Sequence, residues 1–148
     1  MATSIREQIL TAVDAALIAI GAGVLAARNR SSDVEPAEMP AAIQIDGGHR
    51  ASDHETGAVG MTLDVSVQGY VTGSDDAAIT AAVDALYVQI GTALMADITL
   101  GGLASDVREV EMLEPEIMRE EQEKPFAEFT VEFEIDYQTS ETDPTALP

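Results

Sequence analysis

From Phe129 to Tyr137 the chain alternates strictly, with Phe129, Val131, Phe133, Ile135 and Tyr137 apolar and Thr130, Glu132, Glu134 and Asp136 polar. A period of two puts alternate side chains on opposite faces of a pleated strand, so this segment predicts a strand with one face in a core and the other covered by carboxylates. Glu128 extends that acidic row toward Phe126. Met61 to Val71 alternates in the same way, with Met61, Leu63, Val65, Val67 and Val71 on one face and Thr62, Asp64, Ser66, Gln68 and Tyr70 on the other. Ile43 and Ile45 alternate within Ala42 to Asp46, a short strand that should end at Gly47-Gly48. Val24 to Arg28 predicts a further strand, and Glu109 to Met112 another. Val107, Val110 and Met112 change phase between 107 and 110, which predicts a bulge or a late strand start.

Two segments carry the helical period instead. Ile5, Ile9, Val13, Leu17 and Ile20 recur at three- and four-residue spacing behind Ser4, an N-cap with Glu7 placed to complete a capping box. Ile79, Val83, Leu86, Ile90 and Leu94 form the second stripe, with Ser74 as the expected cap and Asp75 and Asp76 at the positive helix end. Alanines at 77, 78, 81, 82, 85 and 93 would let this helix lie close on a sheet. Between the periodic segments, Arg30 to Pro40 and His49 to Gly60 read as loops, and Glu114 to Lys124 as a charged connector. The order helix, three strands, helix, two strands predicts an α+β domain of two layers: a mainly antiparallel sheet with both helices on one face. Residues 1–137 would form this single domain and residues 138–148 a flexible acidic tail.

Charge changes the picture of the uncovered face. Asp and Glu total 27 against 7 Lys and Arg, a formal charge of −20. Affinity for phosphates depends on clustered cations, so nucleic-acid binding is not expected. So acidic a surface can keep a protein dissolved, attract a basic partner, repel a polyanion that passes close by, or reflect adaptation to salt. Cysteine is absent, which removes disulfides, thiolate metal sites and cysteine nucleophiles. The start lacks a basic segment before an apolar run, and no uninterrupted apolar stretch approaches the roughly 18 residues of a membrane span. The chain is therefore expected to be soluble and intracellular, without membrane contact.

Candidate chemistry is sparse. His49, Asp53, His54 and Glu55 are metal-ligand types within one segment, but their spacing matches no metal motif and a solvated loop explains them. No Gly-x-Ser-x-Gly elbow surrounds any serine, and Gly47-Gly48 and Gly101-Gly102 lack the Lys-Ser or Lys-Thr of a phosphate loop. Outward carboxylates on a strand are too solvated to act as a matched acid and base. No enzyme activity, cofactor or metal is expected. An open sheet ending in a long strand leaves unpaired backbone groups, which copies in a ring can cover.

Several short motifs, in order, resemble the tail terminator proteins of long-tailed bacteriophages, the minor tail proteins that cap the tail tube. They are Ile-Arg-Glu-Gln-Ile-Leu-x-Ala-Val at 5–13, Arg-Asn-Arg at 28–30, Glu-Met-Pro-Ala at 38–41 followed by Ile-Gln-Ile-Asp-Gly-Gly, Thr-Leu-Gly-Gly-Leu-Ala-Ser-Asp-Val-Arg-Glu at 99–109, and Phe-Glu-Ile-Asp-Tyr-Gln-Thr at 133–139 with Asp143-Pro144 after it. The resemblance spans nearly the whole chain and implies a sheet packed on helices. It further implies a virion protein made in the host cytoplasm that forms a homo-oligomeric, hexameric ring, stops tube polymerisation and joins the head. The implied partners are further copies, the tail tube protein and a head–tail connector protein, with DNA passing unbound.

On that reading Arg28, Arg30, Glu35, Met39, His49 and Arg50 are candidate interface residues, with Arg28 and Arg30 bridging to acidic neighbours. Asp64, Glu132, Glu134 and Asp136 are candidates for an anionic channel wall. The rival expectations are a head–tail connector or neck protein, a small acidic module binding a cationic ligand in a pocket, and metal-dependent hydrolysis through His49 or His54.

Overall fold

A computed structural model describes residues 2–21, 23–119 and 124–148. Positions 120–123 of the expected charged connector lie outside the described residues. The remaining elements are α1 (Ile5–Ile18), β1 (Leu25–Arg28), β2 (Ala41–Glu55), β3 (Ala58–Thr72), α2 (Asp76–Met95), β4 (Asp106–Met112), β5 (Glu116–Met118) and β6 (Phe126–Ser140), with a single 3₁₀ turn at Pro36–Glu38. One sheet runs β1-β2-β3-β6-β4, and β5 also pairs with β6. All pairs are antiparallel except β1 with β2. This is the predicted α+β arrangement, with one additional short strand.

Both helices lie on one face because the stripes and the strand alternation have a common destination. Ile5, Ile9, Val13 and Leu17 of α1 and Ile79, Val83, Leu86, Ile90 and Leu94 of α2 share a single buried cluster with Leu63, Val65, Val67, Phe129, Val131, Phe133, Ile135 and Tyr137. Each large apolar side chain removed from water stabilises the fold by roughly 1.5–3 kcal/mol, so these rows dominate the packing energy. α2 is long and apolar enough by composition to cross a bilayer. Here, however, its regular apolar stripe is buried against the sheet, while Asp84, midway along it, is exposed.

Three local expectations change. The segment His49 to Gly60 is not a loop: β2 continues to Glu55 and returns through Thr56-Gly57 into β3, with Gly57 at φ 87°. Positions 48–57 are exposed, so no burial pattern marks them, and it is the backbone ladder to β3 that keeps them extended. Gly47-Gly48 accordingly marks a bulge between Asp46 and His49 rather than a strand end, since a Cβ on Gly47 would strike the Asp64 backbone. The cap of α2 is Asp75, not Ser74: its Oδ1 accepts the Ala78 amide at 2.7 Å. At the C-terminal end, β6 runs three residues past Tyr137. Beyond it the chain turns back, with the Ile5 amide donating to Pro144 O at 2.9 Å and Ser140 N donating to Ala146 O at 2.8 Å. The predicted phase slip in β4 is a register shift between Glu109 and Glu111.

Candidate functional site

The face of the sheet turned away from the helices is built by register. Asp64 stands opposite Glu134, Thr62 opposite Asp136, Ser66 opposite Glu132 and Tyr70 opposite Glu128. Across the other side of β6, Arg108 stands opposite Glu134, Asp106 opposite Asp136 and Glu111 opposite Glu132. Asp64, Glu132, Glu134 and Asp136 therefore do share a face, as their alternation predicts.

The row is not bare carboxylate. Arg50 reaches from β2 to bond Asp64 at 3.2 Å and Glu134, and Arg108 reaches from β4 to bond Glu134 at 3.2 Å and Asp136 at 2.6 Å. Thr62 Oγ1 donates to Asp136 at 2.9 Å. The Arg50 guanidinium, with Arg108 behind it, holds the Glu134 carboxyl below its ordinary range, and Arg108 with Thr62 does the same for Asp136, burial opposing both. Reciprocally, the carboxylates raise both guanidinium pKa values. The result is a cross-strand network of fixed charges in which two cations order four acids, Asp64, Asp106, Glu134 and Asp136, with Glu132 standing beside it. Carboxylates still outnumber cations, so the face stays anionic.

Arg108 was not among the sequence candidates. Its signal was the cation at an alternating position of an acidic strand, and only the β4–β6 register shows which acids it meets. Arg50, expected at a subunit interface, belongs to this network within its own chain.

The other candidates lie elsewhere. Arg28 bridges to acidic residues, but within its own chain: Nη1 and Nη2 grip Glu7 of α1 at 2.7 and 2.8 Å, and Nη2 and Nε hold Asp46 of β2 at 2.7 and 3.0 Å. Burial resists the ionised Asp46 carboxylate, but the bonds from Arg28, Asn29 and Gln44 outweigh it and lower its pKa. Arg30 likewise bonds Glu38 at 2.7 Å and also reaches Ser32 and the Asp33 carbonyl, which folds residues 30–38 into an ordered loop. Glu38 is lowered to about 2, first by Arg30 and then by the Glu35 amide. Glu35 caps the 3₁₀ turn and is exposed, and Met39 is half-buried.

His49 Nδ1 is 3.0 Å from the buried Tyr137 hydroxyl, whereas His54 approaches Glu141 at 3.3 Å. The two histidines therefore have different partners, and among the described residues no three metal-ligating side chains converge.

No protein-family profile and no curated protein sequence matches the chain. Among solved structures, a chain of the virion of native gene transfer agent particle is similar with a TM-score of 0.33 and 16% identity, over 91% of this chain and 92% of that chain. A score that low does not establish a shared fold.

Proposed function

We propose that the chain is a non-catalytic assembly protein which closes with copies of itself into a ring, hexameric by the family resemblance, that caps a phage tail tube and offers the surface joining it to the head. The observation that carries this reading is the pair of sheet edges. Among the described residues, β2 from Gly47 to Glu55 has no strand on its outer side, and neither has β4. Unpaired strand edges are templates for further pairing, and two different edges on opposite sides of one sheet form a head-to-tail contact that a rotation can close. The exposed Val110, Leu113 and Ile117 along the β4–β5 side add apolar area to one half of that contact. In a closed ring, the Asp64, Glu132, Glu134 and Asp136 face would line the bore, where fixed negative charge keeps DNA from adhering.

Purified chain is mixed with isolated tail tubes and examined by light scattering and negative-stain electron microscopy. The expected outcome is a closed ring seated on one tube end, lost on changing Val110 to Lys. Binding to emptied heads but not to tubes would reassign the protein to the neck. A chain that stays monomeric and leaves tube ends growing overturns the proposal. A ring with Glu132, Glu134 and Asp136 on its outside would remove the bore-lining role alone.

A further inference from the structure

A second feature of the open face lies at the opposite end from Arg50 and Arg108. Two cross-strand rows meet there: Tyr70 of β3 with Glu128 of β6 and Glu116 of β5, and Thr72 with Phe126 and Met118. The loop Asp33-Val34-Glu35-Pro36 folds over Tyr70, leaving a groove of about 430 Å³ between loop and sheet. Its walls are Tyr70, Phe126, Met118, Val34 and Pro36, and its carboxylates are Asp33, Glu35 and Glu128.

We propose that this groove receives a lysine or arginine side chain presented by a basic protein partner. Two aromatic rings and a thioether accept the aliphatic stem of such a side chain, and ring faces attract its cationic head. The three carboxylates give that head charged acceptors from both the loop and the sheet. Asp33, Glu35 and Glu128 have no ion pair among the described residues, and the nearest cation of the loop, Arg30, is bound to Glu38. Tyr70 keeps its proton, its pKa raised to about 12 by burial and then by Glu128, so the groove wall carries a neutral hydroxyl. The bonds from Arg30 to Ser32, the Asp33 carbonyl and Glu38 fix the loop before anything binds, which lowers the ordering cost of recognition.

Charge selects the occupant. Nucleic acid and acidic segments are repelled by the same three carboxylates. A second copy is a poor source: it too carries a formal charge of −20, its six arginines are bonded within the chain, Arg6 to Gly47 O and Arg119 to Asp76 among them, and its one lysine, Lys124, stands two residues before the groove's own Phe126. The occupant therefore comes from a different protein with exposed basic side chains. Ring closure is not required for this binding, so the test uses the isolated full chain and its failure leaves the ring proposal standing.

Nα-acetyl-arginine methylamide and Nα-acetyl-lysine methylamide are titrated into the chain at constant ionic strength, with the neutral citrulline counterpart and spermidine as controls. The Met118 methyl and the Tyr70 and Phe126 ring signals are followed by NMR. Saturable shifts at these three residues are expected with the two cationic probes, at least tenfold weaker with citrulline. Glu128→Gln should weaken binding at least threefold, while Glu132→Gln, on the same face outside the groove, should leave it unchanged; the remaining spectrum of each variant reports that it is folded. Equal binding of citrulline, shifts spread over Glu132 and Glu134, or insensitivity to Glu128→Gln would overturn the proposal. Displacement of the arginine probe by a lower concentration of spermidine would overturn it in favour of a polyamine site.

Discussion

Arg108 on β4 does not bond most closely to the residue facing it in the ladder. Its Nη1 donates diagonally to Asp136 at 2.6 Å, while the directly opposed Glu134 receives a 3.2 Å bond. The guanidinium thus spans two carboxylates of one strand, a geometry that a point-charge ammonium reproduces poorly. Both acids have lowered pKa values in the folded chain. A lowered carboxylate pKa stabilises the fold above the unfolded value, about pH 4, and this stabilisation is lost as pH falls through the folded values. Arg108→Met should return both carboxyls toward the ordinary range in a ¹³C NMR titration. It should also lower stability at neutral pH by on the order of 1 kcal/mol, a deficit that shrinks in acid. Unchanged titration curves would show that Arg108 does not hold these acids in solution.

Arg28 joins three elements by gripping Glu7 of α1 and Asp46 of β2 from its place in β1. Both contacts depend on the planar fork, so Arg28→Lys is expected to cost about 2 kcal/mol in denaturant unfolding despite keeping the charge. A lysine variant as stable as the parent would mean that charge alone suffices.

Gly69 faces Phe129 in the β3–β6 register, and a Cβ at position 69 would run into the Phe129 ring. The absent side chain is therefore the space the ring occupies. Gly69→Ala should destabilise by about 1–3 kcal/mol through overpacking. Adding Phe129→Leu should make the double variant more stable than the sum of the single effects predicts. Strict additivity would place the cost of Gly69→Ala in the backbone instead.

The C-terminal residues contribute an acceptor to the first turn of α1, from Pro144 O to the Ile5 amide. Truncation after Ser140 should raise hydrogen exchange at the Ile5 amide at least tenfold, leaving amides in the middle of β6 protected. Equal exchange in both forms would support the flexible tail that the composition of residues 138–148 suggested.

Periodicity alone determined the two-layer α+β plan. Ile79 to Leu94 can bury a stripe only as a helix, and Phe129 to Tyr137 only as a strand, so burial writes itself into the order of residues. The shared face of Asp64 and Glu134 followed from the same alternation. Where both sides of a strand meet water, as in Gly48 to Glu55, nothing apolar records the conformation, and the hairpin arm became visible only through its pairing with β3. The partners of the arginines were equally hidden, because sequence gives their charge but only register and the path of the 30–38 loop decide which carboxylates they reach. So it is with the Tyr70–Phe126 groove: its walls come from positions 33 to 128, brought together by strand order, a property of the folded sheet that no local pattern encodes.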